Sequence, residues 1–416
     1  MLKVPLNQAA PGMTLAMPLH HPQTPGRVLL QAGFELDAAA IDRLREIELR
    51  DIWVSYPSLA FLGEYVNPAA IALQQELAAG LDGAFADVAN DGEAELEYEQ
   101  FRETIGQIID LFSTHPRAAL YIDEVCAGGN THIAHAANVC SLSLLMGLRL
   151  QPYVAQQRSR LHPRYATNVV NLGVGAMLHD IGMLQLDPET LDRWARTLNE
   201  NDPVWRQHVW RGYEMVREEI GPSAASIVLN HHQRFDGSGF PEKTEGDGVE
   251  RSQDGENIPI FARIVAVADV FDRLRNPPDG SRPRAAVEVQ HALLSEPWAD
   301  RLDPMCVKAI ITVAPPYPPG AVVTLSDGRD GVVTGWTPTN PCRPTVRILE
   351  TIDPDEKAED AETVDLLEHP ALRVVMTEGR DVSRHNFFAS RSDDYDVDEA
   401  QTLMWRRLVD ADGALF

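Results

Sequence analysis

A chain of 416 residues exceeds what one hydrophobic core usually organises, about 250 residues, so more than one domain is expected. Its 62 acidic against 36 basic residues leave a net charge of −26, which argues against a DNA or RNA polymer or an anionic membrane face as the main partner. A small anionic substrate would then depend on locally concentrated positive charge or on metal ions.

Residues 1–66 read as a small α+β module, with strand-like pieces "GMTLAMPL", "GRVLLQAGFEL" and "DIWVSY", and Asp37 placed to cap a helix holding Ile41, Leu44 and Ile47. The opening residues lack the apolar core of a signal peptide, and no run of about 18 apolar residues occurs, so a cytoplasmic protein without a membrane span is expected. Residues 67–117 are rich in Ala, Leu and Glu and are expected to form a helical spacer, interrupted by the acidic "NDGEAELEYE". Over 118–312 helical periodicity dominates, as in Val139, Leu142, Met146 and Leu150, and implies a central all-α domain. In 313–378 the texture changes to β-type runs, "GAVVTLSDGRDGVVTGW" and "RPTVRIL", expected to form a small β module. Residues 379–416 read as a polar tail. The four cysteines, Cys126, Cys140, Cys306 and Cys342, form no CxxC pair, so no thiolate metal site is indicated.

The chemistry concentrates in the helical region. In "LHDIGMLQL" the helix that buries Val169, Leu172 and Ala176 on one face continues into His179 and Asp180. An ionised carboxylate withdrawn from water costs several kcal/mol on an order-of-magnitude scale unless a cation or hydrogen bonds meet it. His135, His208, the adjacent pair His231 and His232, and Asp269 in "IFARIVAVADVFDRL" are further candidates. Adjacent helical residues diverge by about 100°, so the histidine pair can serve two points of one site, and two metals become plausible. Imidazole and carboxylate without thiolate suit Fe, Mn, Co, Ni or Zn.

"HDIGM" together with "HHQRFDGSGFP" resembles the HD-GYP family, bacterial metal-dependent phosphodiesterases that hydrolyse cyclic di-GMP. The match runs in the family's order through His135, His179, Asp180, His208, His231, His232 and Asp269, which the resemblance makes the metal ligands, with Asp180 bridging. It implies an HD-type helical domain and two divalent transition-metal ions, Fe or Mn favoured. His179 and Asp180 become the catalytic pair, and the products linear pGpG and, beyond it, GMP. Substrate contacts fall to Asp236, Gly239, Phe240 and Pro241 in the "DGSGFP" loop and to Arg282 in "GSRPR". Signalling proteins and a second copy of the chain are the protein partners it suggests.

The chain departs from the family in four places. Met183 stands where a lysine is thought to contact substrate phosphate, and methionine cannot carry that charge. Phe240 replaces the motif's tyrosine. Thr131 stands where some members place a third-metal glutamate, and "EKTEGDGVERSQDGEN" is a longer, more acidic connection than usual. Two other readings therefore stand beside the phosphodiesterase: an inert cyclic di-GMP receptor or scaffold, and an HD-type hydrolase of another nucleotide.

Overall fold

The computed structural model describes residues 2–21, 27–47, 49, 51–65, 68–91, 98–115, 131–244, 250–349 and 361–387. Cys126, residues 92–97 of the acidic run, and the tail beyond 387 lie outside the described residues.

The N-terminal module contains β1 (Leu2–Pro5), β2 (Leu19–His20), β3 (Val28–Leu30), α1 (Ala38–Glu46) and β4 (Asp51–Val54). Asp37 caps α1 as its sequence position predicts, its carboxylate accepting from Ala40 N at 2.6 Å. β1 pairs antiparallel with β4, Leu2 opposite Val54 and Pro5 opposite Asp51, and period-2 alternation buries Leu2 and Val4. With Leu15, Leu36, Ile41, Leu44 and Ile52 they form a small core.

The next two helices, α2 (Pro68–Asp91) and α3 (Tyr98–Thr114), occupy the segment expected as a spacer. They do not stand apart: Leu77, Leu81, Phe101, Ile105, Ile108 and Phe112 are buried in the core of the helical domain. The helical domain continues with α4 (Thr131–Arg149), α5 (Gln151–Gln157), α6 (Pro163–Ala166), α7 (Val170–Leu178), α8 (Pro188–Thr197), α9 (His208–Val216), α10 (Pro222–Asn230), α11 (Ile260–Arg275), α12 (Ala286–Leu293) and α13 (Pro304–Val313). α4 lies against α7 and α11, and α10 against α7 and α9. A buried polar knot fixes α11 at its start, where the Arg263 guanidinium lies 2.6 Å from Asp303 Oδ2 and donates to the Tyr153 hydroxyl at 2.8 Å. Asp303 in turn caps α13. Within the acidic connection β5 (Lys243–Thr244) and β6 (Glu250–Arg251) pair antiparallel.

The C-terminal module is a six-stranded sheet of β7 (Val322–Leu325), β8 (Asp330–Gly335), β9 (Thr345–Ile348), β10 (Thr363–Asp365), β11 (Val374–Thr377) and β12 (Arg380–Asp381), in the order β10-β9-β8-β7-β11-β12. Part of the expected tail packs onto it: Val382 is buried in its core and Asn386 accepts from Tyr317 Oη at 2.8 Å. The sheet touches both other units. Val332 of β8 joins the N-terminal core, Arg275 of α11 reaches Glu378 at 2.7 Å, and Arg380 pairs with Glu288. Among the described residues no single helix is long and apolar enough to cross a membrane.

Candidate metal centre

Seven residues singled out in the sequence converge on one buried point between α4, α7, α9, α10 and α11. His135 comes from the first turns of α4, Asp269 from the middle of α11, and His208 opens α9. His179 and Asp180 follow α7, and His231 and His232 follow α10. Ligand-bearing atoms fall into two groups, Asp180, His208, His231 and His232, and His135, His179 and Asp269.

Helix ends orient three of the imidazoles. His179 Nδ1 donates to Ala176 O at 2.7 Å, His208 Nδ1 to Trp205 O at 2.7 Å, and His231 Nδ1 to Val228 O at 3.0 Å. Each ring thus uses a carbonyl three residues earlier and turns Nε2 inward, the tautomer a metal ligand needs. His135 is held from a different element, its Nδ1 lying 2.6 Å from Asp272 Oδ2, while Asp272 Oδ1 accepts from Asn138 at 2.9 Å and Asn276 at 3.0 Å.

Asp180 faces both groups. Its Oδ1 lies 3.5 Å from the Nε2 atoms of His208 and His231, and its Oδ2 lies 3.5 Å from His179 Nε2 and 3.8 Å from His135 Nε2. Buried Asp180 Oδ1, Asp269 Oδ2, His208 Nε2, His231 Nε2 and both ring nitrogens of His232 have no hydrogen-bond partner within the protein. Such a cluster of unpartnered donor atoms, all imidazole or carboxylate, fits divalent transition-metal ions.

The electrostatics agree. Burial pushes His208 down to about 3, His231 down, and His232 well below its ordinary value, so these rings are neutral and have lone pairs to give. Burial opposes the charged form of His135 too, but hydrogen bonds to Asp269 and Asp272 outweigh it and raise the ring to about 9. Burial likewise works against Asp180 and Asp269, yet neighbouring histidines and Arg273 hold both carboxyls well below the usual range.

Two glycines make the approach feasible. A Cβ on Gly182 would run into the backbone of His208, so the glycine of HDIG lets the turn after Asp180 lie directly on the start of α9. A Cβ on Gly239 would overlap the backbone of His232 and Arg234, which lets the "DGSGFP" loop close over the paired histidines.

The loop residues divide. Phe240 is buried and stacks on His232, with centroids 4.7 Å apart and planes 17° apart, and its N–H donates to His232 O at 3.1 Å. Pro241 O accepts from Gln233 at 2.7 Å, and Asp236 Oδ1 accepts from Ser238 N and Oγ. Arg282 is exposed and donates to Glu378 O at 2.8 Å, which turns it to the β module rather than into the histidine cluster. Met183 is buried with Trp194, Trp205, Val209 and Phe240, an apolar floor beneath the site. Trp205 stacks on Trp194 at 5.2 Å and meets His208 and His232 at 4.6 and 5.0 Å.

Sequence reasoning missed Arg273, Asp272 and Trp205. Asp272 lies three residues after Asp269 and Arg273 four after it, so the helical repeat placed both beside that carboxylate. Their charge at the end of a helix looks the same as that of a solvated surface residue.

Comparison with known proteins follows the same outline. Residues 133–305 match the HD domain family, and residues 322–378 match the KOW domain associated with the HD domain. A cyclic di-GMP phosphodiesterase of Pseudomonas aeruginosa is 24% identical over 335 residues, 73% of this chain and 74% of that protein. A cyclic di-GMP phosphodiesterase response regulator of Xanthomonas campestris is 29% identical over 286 residues, 66% of this chain and 62% of the regulator. A 3'3'-cGAMP-specific phosphodiesterase of Vibrio cholerae is 32% identical over 100 residues, covering 23% of this chain and 17% of that one. The histidine and aspartate cluster and these matches agree: residues 133–305 carry an HD domain, and residues 322–378 the KOW domain that accompanies it.

Proposed function

We propose that the chain is a metal-dependent phosphodiesterase that hydrolyses cyclic di-GMP to linear pGpG, with further hydrolysis to GMP left to the product assay below. The observation that carries this reading is Asp180, whose two oxygens face two separate sets of inward imidazole nitrogens. On this reading His208, His231 and His232 would hold one ion and His135, His179 and Asp269 the other, with Asp180 facing both sets. Bound divalent ions would acidify a water to serve as nucleophile and offset charge on the phosphoryl oxygens. The protein contributes geometry and a dry floor. The carbonyl-tethered rings cannot turn away, and Trp205, Met183 and Phe240 exclude water beneath them, which strengthens every charge interaction above. His135 and Asp180 are partly exposed, so the site is open to substrate on their side.

Asp236, exposed on the loop, is the substrate contact this reading keeps; Gly239 is buried against His232 and Arg282 turns to the β module, so their substrate roles rest on the resemblance alone. Phe240 and Pro241 act by holding that loop against His232.

The reading is tested by incubating Mn- or Fe-loaded protein with cyclic di-GMP, 3'3'-cGAMP and linear dinucleotides and separating the products by chromatography. Conversion of cyclic di-GMP to pGpG is expected. Tight binding without turnover by fully loaded protein would replace the enzyme with a receptor, a reading that buried Met183 favours. Faster turnover of another nucleotide would change the substrate.

A further inference from the structure

The cation already built into the centre is Arg273. It sits one helical turn after Asp269, its Nη2 donates to Asp180 Oδ2 at 2.7 Å, and its Nε lies 2.6 Å from Asp269 Oδ1 without the alignment of a hydrogen bond. One guanidinium thus spans the carboxylate oxygens that face His135 and His179. The opposite side of Asp180 is different: Oδ1, His208 Nε2, His231 Nε2 and both ring nitrogens of His232 have no hydrogen-bond partner within the protein, and among the described residues no cation lies against them. Nearby Trp194 and Trp205 hold the guanidinium over their ring faces at 4.8 and 5.9 Å. A guanidinium does not lose its proton in proteins, so a change of pH does not remove it from this place.

We propose that Arg273 is a resident cation that competes with the ion of the His135, His179 and Asp269 group, so that the two ions load in order. The ion of the Asp180, His208, His231 and His232 pocket enters first, since nothing there must be displaced. The second enters only as Arg273 leaves the carboxylates, and its affinity is lowered by the cost of breaking those contacts. The inference rests on the two-ion reading of the site, and it adds an asymmetry to it.

Mn2+ titration of chelator-treated protein tests it, by calorimetry for the two dissociation constants and by electron paramagnetic resonance for the coupled pair. Wild type is expected to bind one ion at least about tenfold more tightly than the second, the coupled signal appearing only at the higher concentration. Arg273→Met should tighten the second site and narrow the gap about tenfold or more, and its metal-free form should melt at a lower temperature than wild type and recover on adding Mn2+. Should Arg273→Met not fold, Arg273→Lys serves, with a shorter cation and a gap between those of wild type and none. Equal affinities for both ions in wild type, or an unchanged gap in the variants, would overturn the proposal while leaving the two-ion centre intact. Failure of wild type to bind even one ion would overturn the metal-centre reading as well.

Discussion

Gly182 and His208 meet backbone to backbone, with no room for a Cβ between them, and this contact sets where α9 begins relative to Asp180. Because His208 is the first residue of α9, the same contact sets how far its Nε2 stands from the Asp180 carboxylate. Gly182→Ala must therefore push backbone, not a flexible side chain. We expect a stability loss of about 1–3 kcal/mol, visible in urea unfolding. Metal affinity should fall with it, since His208 is one of the proposed ligands.

Asp180→Ala should abolish hydrolysis and lower the metal content of supplemented protein from close to two ions per chain to below one, by elemental analysis. The substitution removes the group that faces both sets of imidazoles and strips Arg273 of its hydrogen-bonding carboxylate. Full metal content together with wild-type turnover would show that this aspartate serves only packing.

Asp272 touches no inward ring nitrogen, yet it holds His135 Nδ1 at 2.6 Å. Asp272→Ala frees that ring to rotate, and an outer partner of this kind is typically worth about 10–100-fold in metal affinity. Competition with a fluorescent chelator measures the loss. Asp272→Asn, which keeps an acceptor oxygen, should recover part of it.

Metal-free protein should lose stability as pH falls below about 6.5. The folded His208 ring titrates only near 3, and His231 and His232 are depressed as well, so on acidification the unfolded chain takes up protons first. Stability supplied by these neutral rings is present above the unfolded value and drains away between 6.5 and about 3 for His208. His135 works in the opposite sense: raised to about 9, its contribution is complete below 6.5 and is lost as pH rises through 9. Thermal melts of chelator-treated protein from pH 8 to 5 should show the descent on the acid side. His208→Gln should flatten it.

Restoring a lysine at position 183 should destabilise rather than help. Only 2% of Met183 is exposed, and it packs with Trp194, Trp205 and Phe240, whose ring faces an ammonium would meet. Burying the charge costs several kcal/mol on an order-of-magnitude scale, against about 2 from cation–π contact. A lower melting temperature in Met183→Lys is the expected result, and an unchanged one would show that the side chain escapes to solvent.

Much of the centre was legible because ligand chemistry is local. HDIG and the paired histidines carry rare residue types at helix ends, and a histidine or aspartate following an apolar face has few places to go. What escaped the sequence depends on the third dimension. β1 was missed because its partner, β4, lies almost fifty residues away and a four-residue run has no signature of its own. The burial of α2 and α3 in the helical core is decided by α4 and α7, not by the composition of the segment. Arg273 is ordinary as a letter near a helix terminus, and only the approach of Asp180 from another helix gives it a role.

The carbonyl tethers on His179, His208 and His231 also bear on entropy. Each ring has surrendered its torsional freedom when the chain folds, so an arriving ion finds donors already aimed and need not immobilise them, a saving of about 0.5–1.5 kcal/mol for each side chain. His232, with neither nitrogen tethered within the protein, lacks that anchor and is confined instead by the stacked ring of Phe240. The binding entropy of the first ion should therefore respond more to loosening Phe240 than to the conformational freedom of the tethered three.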